Sequence, residues 1–306
     1  MSWAAGAAAG VIADRFLGEP PASVHPVVAF GRVMRTVERR LYRDARPAGV
    51  VHAAIGTSLG LIAGGLVGSA AVATWVAVAG RALGEAATAV GSALDDHDLP
   101  LARTLLPALV GRDPHGLDEK ELARAVVESV AENTVDAIVA PALWAALLGA
   151  PGALGYRAVN TLDAVVGHRS DRYANYGWAS ARQDDLAGWI PARATAGLVA
   201  AVRPGAAREV WVAVRNQAPA HPSPNAGVAE AAFAAALGLC LGGENRYRDR
   251  VEIRPQLGTG RPAERGDIAR AVALSRDVSL ALCAFPLVQR AVRAGIRTRI
   301  AHGAQR

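Results

Sequence analysis

The stretch PAGVVHAAIGTSLGLIAGGLVGSAAVATWVAVAG (47–80) carries no charged side chain over 34 residues. A bilayer's hydrocarbon layer takes about 20 apolar residues of helix. Buried helices of soluble proteins seldom run far past that length, so the run reads as helix embedded in a membrane. The plain alternative is an alanine-rich helix inside a soluble core. Gly56, Gly60, Gly64 and Gly68 recur every fourth residue. On a helix they form one smooth ridge that a second helix can approach closely. Arg35, Arg39, Arg40, Arg43 and Arg46 precede the run and only Arg81 follows it closely, which places 14–46 in the cytoplasm by the positive-inside rule. Two paths then fit. A single crossing carries the acidic stretch 81–136 to the far side. A tight hairpin turns near Gly64–Gly65 or Gly68, and its second helix continues past Arg81.

Outward from that run the remaining apolar segments are weaker. Residues 137–156 are uncharged but contain Pro141 and Pro151, a kinked span. Residues 226–243 are interrupted only by Glu230, 186–202 carries Arg193, and 278–289 is short. Residues 1–13 lack a basic lead and read as an anchoring helix, not a signal peptide. Aromatic residues make up 5% and no long run alternates apolar with polar, so strands are not expected. Residues 157–185 and 244–270 read as polar loops. The expected fold is all-α: one multi-pass helical membrane domain over 1–306, in the cell membrane, with its polar loops gathered at one face.

Composition removes several classes. With 52% apolar and 20% charged residues the chain is not disordered. Lys120 is the only lysine, which excludes a Walker A loop and leaves Schiff-base chemistry a single, poorly placed candidate. Cys240 and Cys283 have no partner spacing for zinc or a disulfide framework. The net charge of +6 is modest for this length, and no nucleic-acid partner is expected.

Three blocks concentrate polar chemistry. Glu128, Glu132 and Asp136 stand at i, i+4 and i+8 with Asn133 beside them. Like charges so spaced on one helix face repel, and the row suits a hard divalent cation such as Mg²⁺; otherwise it is a solvated acidic face. In 157–193, Asn160, Asp163, His168, Asp171, Asp184 and Asp185 alternate with Arg157, Arg169, Arg172, Arg182 and Arg193. Acids and arginines at that density suit a metal-bound, phosphate-bearing ligand, or a surface laced with salt bridges. HPSPNAG (221–227) precedes an alanine-rich helix, for which Ser223 or Asn225 is a natural N-cap. A helix start of this kind also offers N–H groups to an anion.

VES-x-AEN-x-x-D within 127–136, NTLD at 160–163 and SPN-x-G at 223–227, in this order, resemble the CobD/CbiB family of cobalamin-biosynthesis membrane proteins, the adenosylcobinamide-phosphate synthases. The opening D-x-x-x-G-E-P-P from Asp14 fits as well. One departure is Arg112-Asp113-Pro114, where the family usually has R-D-T. The resemblance implies an ATP-dependent amide ligase that joins (R)-1-aminopropan-2-ol O-phosphate to the free carboxylate of adenosylcobyric acid. It implies Mg²⁺ and ATP as co-substrate. The partners are then the corrinoid, aminopropanol phosphate, membrane lipid, and a second copy or other corrinoid-pathway proteins. Carried onto this chain, Glu128, Glu132, Asp136 and Asp163 become catalytic candidates, and Glu132, Asp136, Asp184 and Asp185 metal ligands. Asn133, Asn160, Arg169, Arg172, Ser223 and Asn225 become substrate contacts. Family motifs on both sides of 47–80, with ATP cytoplasmic, favour the hairpin. The competing classes are a multi-pass transporter and a non-catalytic membrane assembly factor; a transporter would hold its ionisable residues within the spans, whereas here most lie just outside them.

Overall fold

Gly68 ends the first helix of the uncharged run. The computed structural model describes residues 2–21, 23–168, 170–246 and 251–303, with side chains described to 245 and from 251 to 284. Helix α1 is Trp3–Leu17, α2 Pro26–Leu41 and α3 Arg46–Val67. At Gly68 the backbone is left-handed (φ 65°), which costs a side-chain-free residue little, and its N–H donates to Gly64 O at 3.0 Å. Ser69 then caps α4, Ala70–Ala77, its hydroxyl accepting from Val72 N at 3.4 Å. Val78 is extended, and α5 starts afresh at Gly80–Asp95. The 34-residue run is therefore neither one continuous helix nor a tight hairpin. It does turn at Gly68, but α4 lies chiefly against α1 and the later helix α8 rather than back along α3.

Helix α6 is Leu99–Leu105. Helix α7, Glu119–Thr134, opens on a capping box in which Asp118 and Glu121 each accept the other's backbone N–H at 2.8 Å. A wide π turn, Val135–Val139, leads into α8, Ala140–Leu162, and a second, Asp163–Gly167, leaves it. The expected kink in 137–156 is present, at Gly149 just ahead of Pro151. Helix α3 packs along α8 through the glycine ridge. A Cβ at Gly64 would stand 2.5 Å from both Ala150 O and Pro151 Cα. Three of the four ridge glycines, Gly56, Gly60 and Gly64, are buried in this contact, while the fourth caps the helix. Helices α9 (Trp178–Val202), α10 (Ala207–Asn216) and α11 (Ala226–Leu237) complete the bundle.

The described chain is mostly helical, but a small sheet departs from the all-α expectation. Strands β1 (Leu239–Arg246) and β2 (Val251–Leu257) pair antiparallel, and β3 (Arg261–Pro262) lies parallel to β1 on its other edge. The apolar segment 226–243 is consequently helix only as far as Leu237. Beyond it Leu239 and Leu241 alternate inward, both buried, with half-buried Cys240 between them. Two inward positions are too short a run to separate a strand from the tail of an apolar helix by pattern alone.

Helix α12, Arg265–Gly303, closes the chain. Its first turn holds Asp267, buried, whose carboxylate accepts from Arg261 at 2.7 and 2.9 Å, from Arg270 at 2.5 Å and from Glu264 N at 2.9 Å. Burial alone would raise this carboxyl, but the hydrogen bonds from Arg261, Glu264 N and Arg270 outweigh it and hold its pKa below the usual carboxylate range. A lowered folded pKa means stability that is complete above the unfolded carboxylate pKa and is lost as pH falls through the folded one. Asp267→Asn is expected to cost about 2 kcal/mol at pH 7, given that both arginines are half-exposed. Melting curves of the two proteins should differ at pH 7 and converge as pH falls through the lowered folded pKa of Asp267; equal melting at pH 7 would refute the role.

Two helices are long and apolar enough to cross a membrane, α3 and the continuous run Glu119–Gly167, the latter 61% buried over its most apolar window and the former 28%. The outer face of α3 leaves Leu59, Ile62, Leu66 and Val67 exposed, and α1 adds Ile12, Phe16 and Leu17.

Candidate functional site

The two π turns bracket a polar cavity of about 580 Å³. Such turns insert one residue into a helix and are frequent at functional sites. Here the first carries Asp136 and the second Asp163. Glu132 comes from the end of α7, Asp184 and Asp185 from the second turn of α9, and Ser223 and Asn225 from the loop entering α11. Strand β2 supplies Glu252 and Arg254. Eight of the residues singled out from sequence, spread over more than ninety positions, thus face one space: Glu132, Asp136, Asp163, His168, Asp184, Asp185, Ser223 and Asn225.

The others are placed differently. Glu128 leaves the row: its carboxylate takes the Arg112 guanidinium and accepts from Gly242 N at 2.8 Å, which fastens α7 to β1. Asn133 donates to Ser129 O at 2.9 Å and does not line the cavity. Asn160 stands behind the wall, accepting from Arg157 at 3.2 Å and donating to Asp184 Oδ1 at 3.3 Å, so it orients a lining carboxylate rather than touching the space. Arg172 is elsewhere. Buried Glu38 of α2 holds it at 3.0 Å and its guanidinium lies 4.1 Å from the centre of the Tyr42 ring, so it does not line this cavity. Arg169 lies outside the described residues. Arg193 likewise has neighbours of its own: it stacks on Trp189 and reaches Asn225 Oδ1 at 3.3 Å.

Ser223, not Asn225, does the capping at α11, its hydroxyl accepting from Ala226 N at 3.2 Å. Asn225 instead donates to Asp185 O at 2.9 Å and ties α11 to α9. On the α8 side, Tyr156 donates to Asp136 Oδ1 at 3.2 Å.

Behind Glu132 lies a second chamber of about 150 Å³, whose wall shares Gly111, Glu132 and Arg254 with the first. Arg112, His221, Glu230 and Asn245 line it. His221 accepts from Ser223 N at 3.1 Å through Nδ1, while Nε2 sits 3.0 Å from Arg254 and 3.7 Å from Glu230. Burial, reinforced by the Arg254 charge, pushes its imidazole below the usual range, so it is neutral at pH 7. Arg254 and Asn245 were not legible as site residues, since 244–270 read as loop; the only signal was the V-x-I alternation at 251–253.

Electrostatically the larger cavity is unbalanced. Among the described residues six carboxylates line it against one guanidinium, that of Arg254. Asp184 shows the consequence: burial first, then the charges of Asp136 and Asp163, push its carboxyl well above the ordinary value. No three His, Cys, Asp or Glu among the described residues close on a point as a preformed metal cage. Mg²⁺ asks for less. It keeps several waters and takes one or two carboxylates plus phosphate oxygens, and a wall dominated by carboxylates fits that use.

A family model described as CobD/Cbib protein matches residues 7–275. A cobalamin biosynthesis protein CobD of Mycobacterium tuberculosis (strain H37Rv) is 46% identical, the alignment covering 94% of this chain and 96% of the relative. Proteins of the same name from Chromobacterium violaceum and Geobacter metallireducens are each 42% identical over 86% and 81% of this chain, and 89% and 84% of their own. No solved structure matches the chain. With a family match over most of its length and relatives this similar from end to end, the chain belongs to the CobD/CbiB family.

Proposed function

We propose that the protein acts in cobalamin biosynthesis as the ATP-dependent ligase that joins aminopropanol phosphate to the free carboxylate of adenosylcobyric acid, giving adenosylcobinamide phosphate. The observation that carries this reading is the convergence of Glu132, Asp136, Asp163, Asp184 and Asp185, from four separate elements, on one cavity in a chain of this family. A carboxylate at neutral pH does not accept an amine. Transfer of a phosphoryl group to its oxygen makes phosphate the leaving group, and the amine nitrogen then forms the C–N bond as phosphate departs. Such transfer rests on positioning and charge compensation more than on a protein nucleophile.

Mg²⁺ bound with the nucleotide supplies that compensation. Asp136, Asp163 and Asp184 are the residues that would hold it, with Glu132 and Asp185 within the same wall. Asn160 and Tyr156 fix the directions of Asp184 and Asp136, so these carboxylates are oriented before a ligand arrives.

The exposed apolar faces of α1 and α3 support a multi-pass membrane setting, in which the cavity opens at one surface. The test is the full chain in lipid nanodiscs with adenosylcobyric acid, Mg-ATP and aminopropanol phosphate, read by mass spectrometry. The expected result is an amide product with one ADP released per bond. Folded protein that yields neither would overturn the reading.

A further inference from the structure

Helix α2 and the turn into α3 carry an excess of positive charge. Residues 32–46 hold six arginines, Arg32, Arg35, Arg39, Arg40, Arg43 and Arg46, against two acids, Glu38 and Asp44. Both acids are engaged elsewhere. Glu38 is buried and accepts from Arg172 at 3.0 Å and from the Tyr173 hydroxyl at 2.9 Å, while Asp44 accepts from Asn175 at 3.0 Å. All six arginines are exposed, and among the described residues none of them makes an ion pair. On α2 itself Arg32, Arg35 and Arg39 fall within about 60° of one another, on a different face from the buried Gly31, Met34 and Glu38.

This charge stands at one end of an apolar helix. Arg46 is the first residue of α3, whose 22 residues span about 33 Å, close to the ~30 Å of a bilayer's hydrocarbon layer. Val50, Leu59, Ile62 and Leu66 are exposed along α3, and no arginine stands between Arg46 and Arg81. At the same end the Arg46 guanidinium lies 5.2 Å from the centre of the Trp178 ring, which is 40% exposed. Tryptophan collects where hydrocarbon meets water, so this pair marks that level independently of the other five arginines.

We propose that α2 and the turn into α3 form a docking surface for anionic phospholipid headgroups, with Arg32, Arg35, Arg39 and Arg43 on the phosphate layer of the leaflet that α3 enters. The assignment rests on the membrane setting proposed above and adds a lipid preference to it. Each uncompensated arginine at an acidic leaflet raises affinity about fivefold. A zwitterionic headgroup brings an ammonium with every phosphate and gains little from the stripe.

Native mass spectrometry of the full chain tests this, with the protein released from micelles that hold equal amounts of phosphatidylglycerol and phosphatidylcholine of the same acyl chains. The wild type is expected to retain phosphatidylglycerol over phosphatidylcholine by about tenfold or more. Arg32→Gln with Arg35→Gln should cut that preference about fivefold or more. Arg32→Lys with Arg35→Lys should keep it, because charge is what the headgroup reads. Arg208→Gln with Arg215→Gln removes equal charge from exposed positions of α10 and should leave the preference within twofold. Each variant is checked for wild-type melting. Equal retention of both lipids by the wild type, an unchanged preference in folded Arg32→Gln/Arg35→Gln, or the same loss in the α10 control would overturn the proposal. Displacement of the lipid by millimolar glycerol 3-phosphate would do so too, since it would mark a site for soluble phosphate. The membrane setting fails by a different result, a full chain that stays monodisperse with neither detergent nor lipid; a chain that needs detergent yet shows no lipid preference loses the docking surface alone.

Discussion

Glu132→Gln is expected to slow amide formation by about a hundredfold to ten-thousandfold while melting stays near wild type. Glutamine keeps the length, the shape and the helix propensity of the side chain and removes one negative charge. Glu132 lines both the larger cavity and the chamber behind it, so its charge bears on what either one holds. Were the carboxylate merely part of a crowded acidic wall, neutralising it would relieve repulsion, and activity would hold while stability rose slightly. Asp163→Asn and Asp184→Asn are expected to follow Glu132→Gln, and raised Mg²⁺ should partly rescue whichever residue contacts the ion. Initial rates of ADP and amide release at low and high Mg²⁺ decide the matter. Full activity in both Glu132→Gln and Asp163→Asn at low Mg²⁺ would remove the site.

The second large effect is structural. Gly64→Val places a branched side chain where even a Cβ would stand 2.5 Å from Ala150 O and from Pro151 Cα, both backbone atoms of α8 that no rotamer change can move. Helix α3 must shift away along its whole contact, at a cost of about 3 kcal/mol, or roughly 6–12 °C of melting temperature. Its neighbour provides the control. A Cβ at Gly65 meets nothing within 4 Å, so Gly65→Ala should be neutral or stabilise by up to about 1 kcal/mol through helix propensity. Thermal melts in one detergent compare the three proteins, and equal melting of Gly64→Val and wild type would show that the ridge is not a packing surface.

Much of this was legible in the chain. The uncharged run announced apolar helix, its four-residue glycine period announced a close contact, and the acids of 132–136, 163 and 184–185 announced a polar centre. Charge is easy to read because it is expensive to misplace. What stayed hidden depends on tertiary partners. Nothing local says that Glu38 captures Arg172, or that Glu128 turns to Arg112 while Glu132 does not. The strand β2 was missed because residues 251–257 alternate only briefly and lie mostly exposed or half-buried, so burial gave no pattern to detect. Chamber residues such as Asn245 and Glu230 come from segments that had been read as loop and as span, and only the return of β1 across α7 brings them together.

Each wide turn flanking α8 holds one more residue than an α-helical turn would. A helix rotates by about 100° per residue, so each extra residue resets the angular phase of whatever follows. The middle of α8 must keep the phase that seats it on the glycines of α3, while Asp136 and Asp163 must keep another. The two requirements are uncoupled by counting rather than by chemistry. Residue number, more than residue type, is then the variable that the turns protect: a small side chain exchanged at 137 or 164 leaves both phases intact, whereas the deletion of either position swings one carboxylate a quarter-turn out of the cavity.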